Sequence, residues 1–118
     1  MKKTILIYDD NDQIILLFKI ILKSYNYNYF GFSNCSNLLK DLKYHKPDLI
    51  MMDLNLPGMS GDQAIYAIKN YEAFVHIPIL LISTDSRIAE NYPTLPVNGY
   101  LTKPFKLNEF KECLERFL

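Results

Sequence analysis

Short apolar runs alternate with amphipathic stretches along the whole chain. Five of these runs predict strands, at residues 4–8, 27–32, 48–53, 77–82 and 98–102. A segment with helical periodicity or helix-start signals follows each run, and this alternation predicts a parallel sheet covered on both faces. In the third run, residues 49–52 are all apolar, which is typical of a strand buried on both sides. We therefore expect an α/β fold with a five-stranded parallel sheet.

The first helix is predicted to run to about Ser24 after the polar turn at residues 9–12. Outside the stripe expected to face the sheet, Ile15, Leu16, Ile20 and Leu22 make the helix unusually apolar, and we interpret them as extra core contact rather than as a docking surface. The side chains expected to face the sheet recur with helical spacing and are Ile14, Leu17, Phe18 and Ile21.

Two further segments carry helix signals of different strength. Ser33 or Asn34 is predicted to cap a second helix that buries Cys35. In residues 87–97, Pro93 and Pro96 leave room for only a short helix.

Composition and charge exclude several classes of protein. The 118 residues suffice for one domain, taken as residues 1–118, and 13 basic residues balance 13 acidic ones. Because no basic stripe stands out, direct binding of nucleic acid is not expected. Cys35 and Cys113 lie far apart and read as buried free thiols, which favours a cytoplasmic location. No apolar run is long enough for a signal peptide or a membrane span.

Ionisable and hydroxyl side chains follow four of the five predicted strands. Because the carboxyl ends of parallel strands share one edge of the sheet, these side chains should meet there. Three carboxylates so close together repel each other unless a cation is present, and Mg²⁺ prefers such oxygen ligands. A carboxylate could attack a phosphoryl group at this edge while the cations neutralise charge. The set is Asp9, Asp10, Asp53, Ser83, Thr84 and Lys103.

Four stretches of the chain resemble the receiver domains of bacterial two-component response regulators. They are ILIYDDN, PDLIMMDLNLPGMSG, ILLIST and GYLTKPF, and together they extend the resemblance over the whole length. The resemblance implies a flavodoxin-like, or CheY-like, fold with three α/β/α layers and the strand order 2-1-3-4-5. It also implies a signalling domain rather than a turnover enzyme.

The resemblance assigns roles to individual residues. Asp53 is expected to accept a phosphoryl group from a sensor histidine kinase or a histidine phosphotransfer protein. Asp9, Asp10, Asp53 and the backbone carbonyl of Asn55 are expected to bind Mg²⁺. The phosphoryl group is then expected to contact Lys103, Ser83 and Thr84, and Ser83 and Tyr100 to act as the switch.

The resemblance also implies which residues shape the turns around the site. Pro57, Gly58 and Gly61 are expected to shape the turn after the third strand, and Pro104 to follow a cis peptide bond. Thr84 and the short segment at residues 87–97 depart from the family pattern, so the output surface and the downstream effector stay open, as does a weak dimer.

Three other functions remain to be weighed. A receiver-like interaction module that is never phosphorylated would keep the fold without the chemistry. A small Mg²⁺-dependent phosphohydrolase of the haloacid dehalogenase type would need a second Asp two residues after Asp53, where this chain has Asn55. A flavodoxin-type cofactor binder would need a phosphate-cradling loop after the first strand, where Asp9 and Asp10 repel phosphate.

Overall fold

The apolar runs form a five-stranded parallel sheet in the computed structural model, which describes residues 2–85 and 94–118. The strand order is β2-β1-β3-β4-β5, so the expected flavodoxin-like topology is confirmed. The strands are β1 (Thr4–Tyr8), β2 (Asn28–Phe32), β3 (Leu49–Asp53), β4 (Ile79–Ser83) and β5 (Gly99–Thr102). The helices within the described residues are α1 (Asp12–Ser24), α2 (Leu38–His45), α3 (Gly61–Lys69) and α4 (Leu107–Phe117).

The sheet separates two apolar cores because successive strand side chains point to opposite faces. Leu6 and Ile50 lie on the face covered by α2 and α3, whereas Ile5 and Leu49 lie on the face covered by α1 and α4. β3 and β4 are buried along their full length, which explains their unbroken apolar sequence. No helix in the described ranges is long and apolar enough to cross a membrane.

The outer face of α1 corrects one prediction. Phe18 is buried as expected, and Ile14 and Ile21 are partly buried against the core. Leu17, the fourth residue expected to face the sheet, is 44% exposed.

Among the other apolar positions of α1, Ile15 and Leu22 are buried, so the interpretation of extra core contact is confirmed for these two. It is wrong for Leu16 and Ile20, which are exposed at 58% and 62%. A single helix face meets the sheet, and the remaining apolar side chains have nothing above them among the described residues.

The start of α2 corrects a second prediction. The helix begins at Leu38, with Asn37 as its N-cap residue, so neither Ser33 nor Asn34 caps it. Instead, the Asn34 side-chain oxygen accepts hydrogen bonds from the backbone N–H and the hydroxyl of Ser36. This local turn competes with helix formation. The short helix expected within residues 87–97 falls largely outside the described residues.

Candidate functional site

Three carboxylates meet at the carboxyl edge of the sheet. Asp53 is the last residue of β3, and Asp9 and Asp10 directly follow β1, its neighbour in the sheet. Each of the three offers a carboxylate oxygen within 4.8 Å of the others. Asp9 and Asp53 are buried, whereas Asp10 is exposed. Adjacent parallel strands that both end in acidic residues therefore produce the cluster expected from the sequence.

The two buried carboxylates are oriented in the same way. One oxygen of Asp9 accepts the backbone N–H of Asn11, and one oxygen of Asp53 accepts the backbone N–H of Asn55, both at 2.9 Å. The backbone N–H of Asp9 also donates to the carbonyl of Phe32, which fixes the chain after β1. Each carboxylate thus has one oxygen held by its own turn and a second directed into the cluster.

Lys103 occupies the space between these second oxygens. β5 carries it there, because the Lys103 backbone N–H donates to the carbonyl of Ser83 at 2.8 Å and extends the ladder between β4 and β5. Its ammonium group donates to Oδ2 of Asp9 and, at 3.0 Å, to Oδ2 of Asp53. The peptide bond between Lys103 and Pro104 is cis, as predicted.

Burial and pairing act against each other on the pKa values of this group. Burial raises the pKa of the Asp9 carboxyl, and the hydrogen bonds from Lys103 and from the Asn11 N–H offset this only in part. Burial also lowers the pKa of Lys103, but its hydrogen bonds to Asp9 and Asp53 outweigh that effect and leave its pKa raised. Two carboxylates share one ammonium group here, so additional positive charge would stabilise the cluster.

The donor set fits a hard divalent cation. Three carboxylates with oxygens this close are the ligands that Mg²⁺ or Ca²⁺ prefers, and a Mg²⁺ site usually keeps several waters as well. Asn55, whose carbonyl was the fourth predicted ligand, is exposed beside Asp53. A cation in this cluster would compete with Lys103 for the oxygens of Asp9 and Asp53.

The expected switch residues lie on the two neighbouring strands. Ser83 ends β4 and is buried, and its hydroxyl oxygen accepts the backbone N–H of Asp85 at 3.0 Å. Thr84 follows it and is exposed. Tyr100 lies on β5, where its side chain is 38% exposed. In the part of the chain that the structure describes, the Lys103 ammonium pairs with Asp9 and Asp53 and not with these three residues.

The turn after β3 depends on two glycines. A Cβ on Gly61 would lie 2.3 Å from the carbonyl oxygen of Asp53, so no larger residue fits against the backbone of that aspartate. Gly58 has a φ of +75°, a conformation that glycine adopts readily. Pro57 precedes it on the exposed side of the turn. Ser60 begins α3 with a reciprocal capping box to Gln63.

Sequence reasoning missed one contact close to the site. Tyr8, the residue before Asp9, is fully buried, and its hydroxyl donates to Oδ2 of Asp41 on α2 at 3.0 Å. Its ring stacks on Phe32 with centroids 5.2 Å apart. The sequence pattern assigns Tyr8 only to an apolar run. A tyrosine directly before the acidic pair was the available signal, because a buried phenol usually finds a hydrogen-bond partner.

Comparison with known proteins places this site in a family. The family model described as the response regulator receiver domain matches residues 5–115. Among curated proteins, the polar-differentiation response regulator DivK of Brucella anthropi is 27% identical over 124 residues, which cover 100% of this chain and 98% of that protein.

Solved structures share the whole architecture. Chemotaxis protein CheY4 of Vibrio cholerae superposes with a TM-score of 0.89 at 22% identity, covering 100% of both chains. The receiver domain of sensor histidine kinase PA1611 from Pseudomonas aeruginosa superposes with a TM-score of 0.87 at 26% identity, covering 99% of this chain and 98% of that one. In that structure a magnesium ion is coordinated in the active-site cleft.

Proposed function

The chain belongs to the family of response regulator receiver domains, and from that premise we propose that Asp53 accepts a phosphoryl group from a phosphohistidine. The observation that carries the proposal is the placement of Asp53. It ends a central strand, is only 5% exposed, and has one carboxylate oxygen directed at Lys103 within an acidic cluster. The phosphohistidine belongs to a sensor histidine kinase or a phosphotransfer protein, and the chain itself carries out no turnover chemistry.

The transfer follows from the contacts of Asp53. Its carboxylate oxygen forms a new P–O bond while the P–N bond to the donor imidazole breaks, and the electron pair stays on the ring nitrogen. The N–H of Asn55 holds the other oxygen, so the carboxylate enters the reaction already oriented. Lys103 then exchanges an aspartate oxygen for a phosphoryl oxygen and offsets its charge.

We propose that Asp9, Asp10, Asp53 and the carbonyl of Asn55 hold Mg²⁺. When bound, this ion supplies charge neutralisation for the phosphoryl oxygens. The residues themselves provide oxygen ligands on the buried side of the site and, through Asp10, on its exposed side.

The switch is proposed to start at Ser83. Its hydroxyl is engaged as an acceptor for the Asp85 N–H, and donation to a phosphoryl oxygen would draw the end of β4 toward Asp53. Thr84, next in the chain, would contact the same group. Tyr100 on the adjacent strand would then move inward from its partly exposed position and change the surface around β5.

The exposed apolar face of α1 is the surface on which we place the phosphoryl donor. α1 starts two residues after Asp10, so this face begins next to the acidic cluster, and Leu16, Leu17 and Ile20 are exposed along it. Apolar surface of this kind is typical of a docking site. A donor resting there could reach Asp53 without crossing the rest of the domain.

Intact-mass measurement with a small phosphodonor and Mg²⁺ tests the proposal. The wild-type chain should gain the mass of one phosphoryl group, and Asp53→Asn should gain none. Asp62→Asn, which alters an exposed carboxylate on α3, is the matched control and should behave as wild type. Phosphorylation of Asp53→Asn would refute the assignment. A wild-type chain that gains no mass would support the unphosphorylated interaction module instead.

A further inference from the structure

A cavity of about 550 Å³ opens at the amino edge of the sheet, opposite the acidic cluster. It lies between the end of α2 and the segment at residues 71–77, which leads from α3 to β4. Strands of five residues separate the two edges, a distance of roughly 15 Å. A molecule in this cavity would not touch Asp53 or Lys103, so its binding is independent of the proposed phosphorylation.

The floor of the cavity is apolar and already in place. Leu42, Phe74 and Ile77 line it and are buried. One wall is held by the Lys69 ammonium group, which donates to the carbonyls of Val75 and Ile77, both at 2.8 Å. A wall fixed by these bonds need not be ordered when a ligand binds, which lowers the entropy lost on binding.

The rim combines an aromatic face with positive charge. The Tyr71 ring stacks on Phe74, with centroids 5.0 Å apart, and the Lys43 ammonium lies 5.1 Å from the Tyr71 centroid. Lys46 is exposed at the end of α2. Within residues 2–85 and 94–118, neither of these ammonium groups pairs with a carboxylate. The one carboxylate in the lining, Asp48, accepts the backbone N–H of Thr4 at 2.8 Å.

We infer that this cavity binds a small amphipathic anion, with an aromatic or branched apolar body and one carboxylate, sulfonate or phosphate group. The volume falls within the range of small-molecule sites. The lining combines an apolar floor with the ionisable side chains of Lys43, Lys46, Asp48 and His76, which suits an amphipathic ligand. The body would lie against Phe74 and Tyr71, and the charged end between Lys43 and Lys46. Because the carbonyl end of α2 disfavours anions, the two lysines must supply the attraction.

An NMR titration of the intact chain with 4-phenylbutyrate tests this inference. Saturable shifts should be confined to the amides of residues 42–48 and 71–77. The neutral alcohol 4-phenylbutan-1-ol should bind about fivefold more weakly, the effect of an exposed ion pair, and the cation 4-phenylbutylamine more weakly still. Equal binding of the three compounds, shifts located elsewhere, or no shifts up to about 10 mM would overturn the inference.

Two variants separate binding from folding. Lys46 has a φ of +48°, so Lys46→Gly should keep or raise the melting temperature while weakening 4-phenylbutyrate binding at least about threefold. Lys43→Gln should weaken binding similarly if Lys46→Gly alters the fold. Lys40→Gln, an exposed position on α2 away from the cavity, is the control and should bind as wild type. Unchanged binding in both rim variants would contradict the assigned roles of the lysines.

Discussion

The two edges of the sheet both bury part of a lysine, and they use it in opposite ways. At the carboxyl edge, the ammonium group of Lys103 bridges two carboxylates. At the amino edge, the ammonium group of Lys69 donates to two backbone carbonyls. Pairing leaves the pKa of Lys103 raised although burial alone would lower it, whereas burial lowers the pKa of Lys69.

This difference distinguishes a reactive site from a structural one. A contact between two charged side chains can be exchanged for an incoming ion or phosphoryl group without unfolding the backbone. A contact between a side chain and backbone carbonyls fixes the course of a loop and has to persist. We therefore expect substitutions around Lys103 to alter chemistry and metal response, and substitution of Lys69 to alter stability.

The largest expected effect comes from a substitution at the carboxyl edge that should alter both stability and chemistry. Gly61→Ala places a methyl group against the Asp53 carbonyl and should destabilise the fold by about 3 kcal/mol, as overpacking does. It should also displace Asp53 and slow its phosphorylation. Urea unfolding and intact-mass kinetics measure the two effects.

Gly58→Ala is the matched control for that variant. No atom lies within 4 Å of a Cβ at Gly58, so only its positive φ opposes the substitution, at about 1 kcal/mol. Its rate of phosphorylation should stay close to that of the wild type. If Gly61→Ala proved as stable as Gly58→Ala, the turn after β3 would be able to accommodate the added methyl group without a loss of stability.

Lys69→Met is the next largest change and tests the structural lysine. Loss of two hydrogen bonds to backbone carbonyls should destabilise the fold by about 2 kcal/mol. Lys40→Met, at an exposed position on α2, should change stability little. Mg²⁺ binding should be unaffected, and a variant that loses its Mg²⁺ response would contradict the separation of the two edges.

The pH dependence of stability should also differ between the two lysines. The folded pKa of Lys103 lies above its unfolded value of 10.5, so its contribution is present below pH 10.5 and is lost as pH rises further. The folded pKa of Lys69 lies below 10.5, so its titration makes the fold more stable as pH rises toward that value. Compared with the wild type, Lys103→Met should lose less stability as the pH rises past 10.5. Lys69→Met should gain less stability as the pH rises toward 10.5, and alkaline unfolding experiments measure both differences.

Asp9→Asn should have an effect of the opposite sign, because it removes a cost. The folded pKa of Asp9 is raised above 3.8, so its stabilising contribution is present below pH 3.8 and is lost as pH rises through the folded value. At pH 7 without metal, the variant should be more stable by about 1 kcal/mol for each pKa unit that is relieved. Mg²⁺ should no longer raise its melting temperature.

Asp10→Asn sharpens that comparison, since Asp10 is exposed and carries less of the repulsion. It should lose Mg²⁺ stabilisation with little change in metal-free stability. Equal gains in metal-free stability for the two variants would mean that burial of Asp9 does not cause the gain expected for Asp9→Asn.

Much of the fold and the acidic cluster could be predicted because both depend on local runs. Each strand is an apolar segment, and strand ends in a parallel sheet share one edge. The exposed side of α1 could not be predicted, since Leu17 and Ile15 are equally apolar and only the sheet decides between them. The strand ends predicted that Lys103 lies near the carboxylates, but not that it bridges Asp9 and Asp53, because these partners are 94 and 50 positions away and no local pattern encodes the pairing.

A further modest effect concerns Tyr8, whose hydroxyl pairs with a carboxylate outside the acidic cluster. Its hydroxyl donates to Asp41 on α2, and burial, followed by the charge of Asp41, raises the pKa of Tyr8 above its ordinary value of 10.0. Tyr8→Phe should destabilise the fold by only about 1 kcal/mol, because the half-buried Asp41 can bind water instead. The contribution of Tyr8 is present below pH 10 and lost above it, so the variant should lose less stability than wild type as pH rises past 10.

Tyr44→Phe, at a side chain 82% exposed, is the control. Mg²⁺ binding should persist in Tyr8→Phe, since Asp9 is oriented by Asn11 and Phe32 rather than by the phenol. Loss of Mg²⁺ binding in Tyr8→Phe would place this hydrogen bond within the reactive edge.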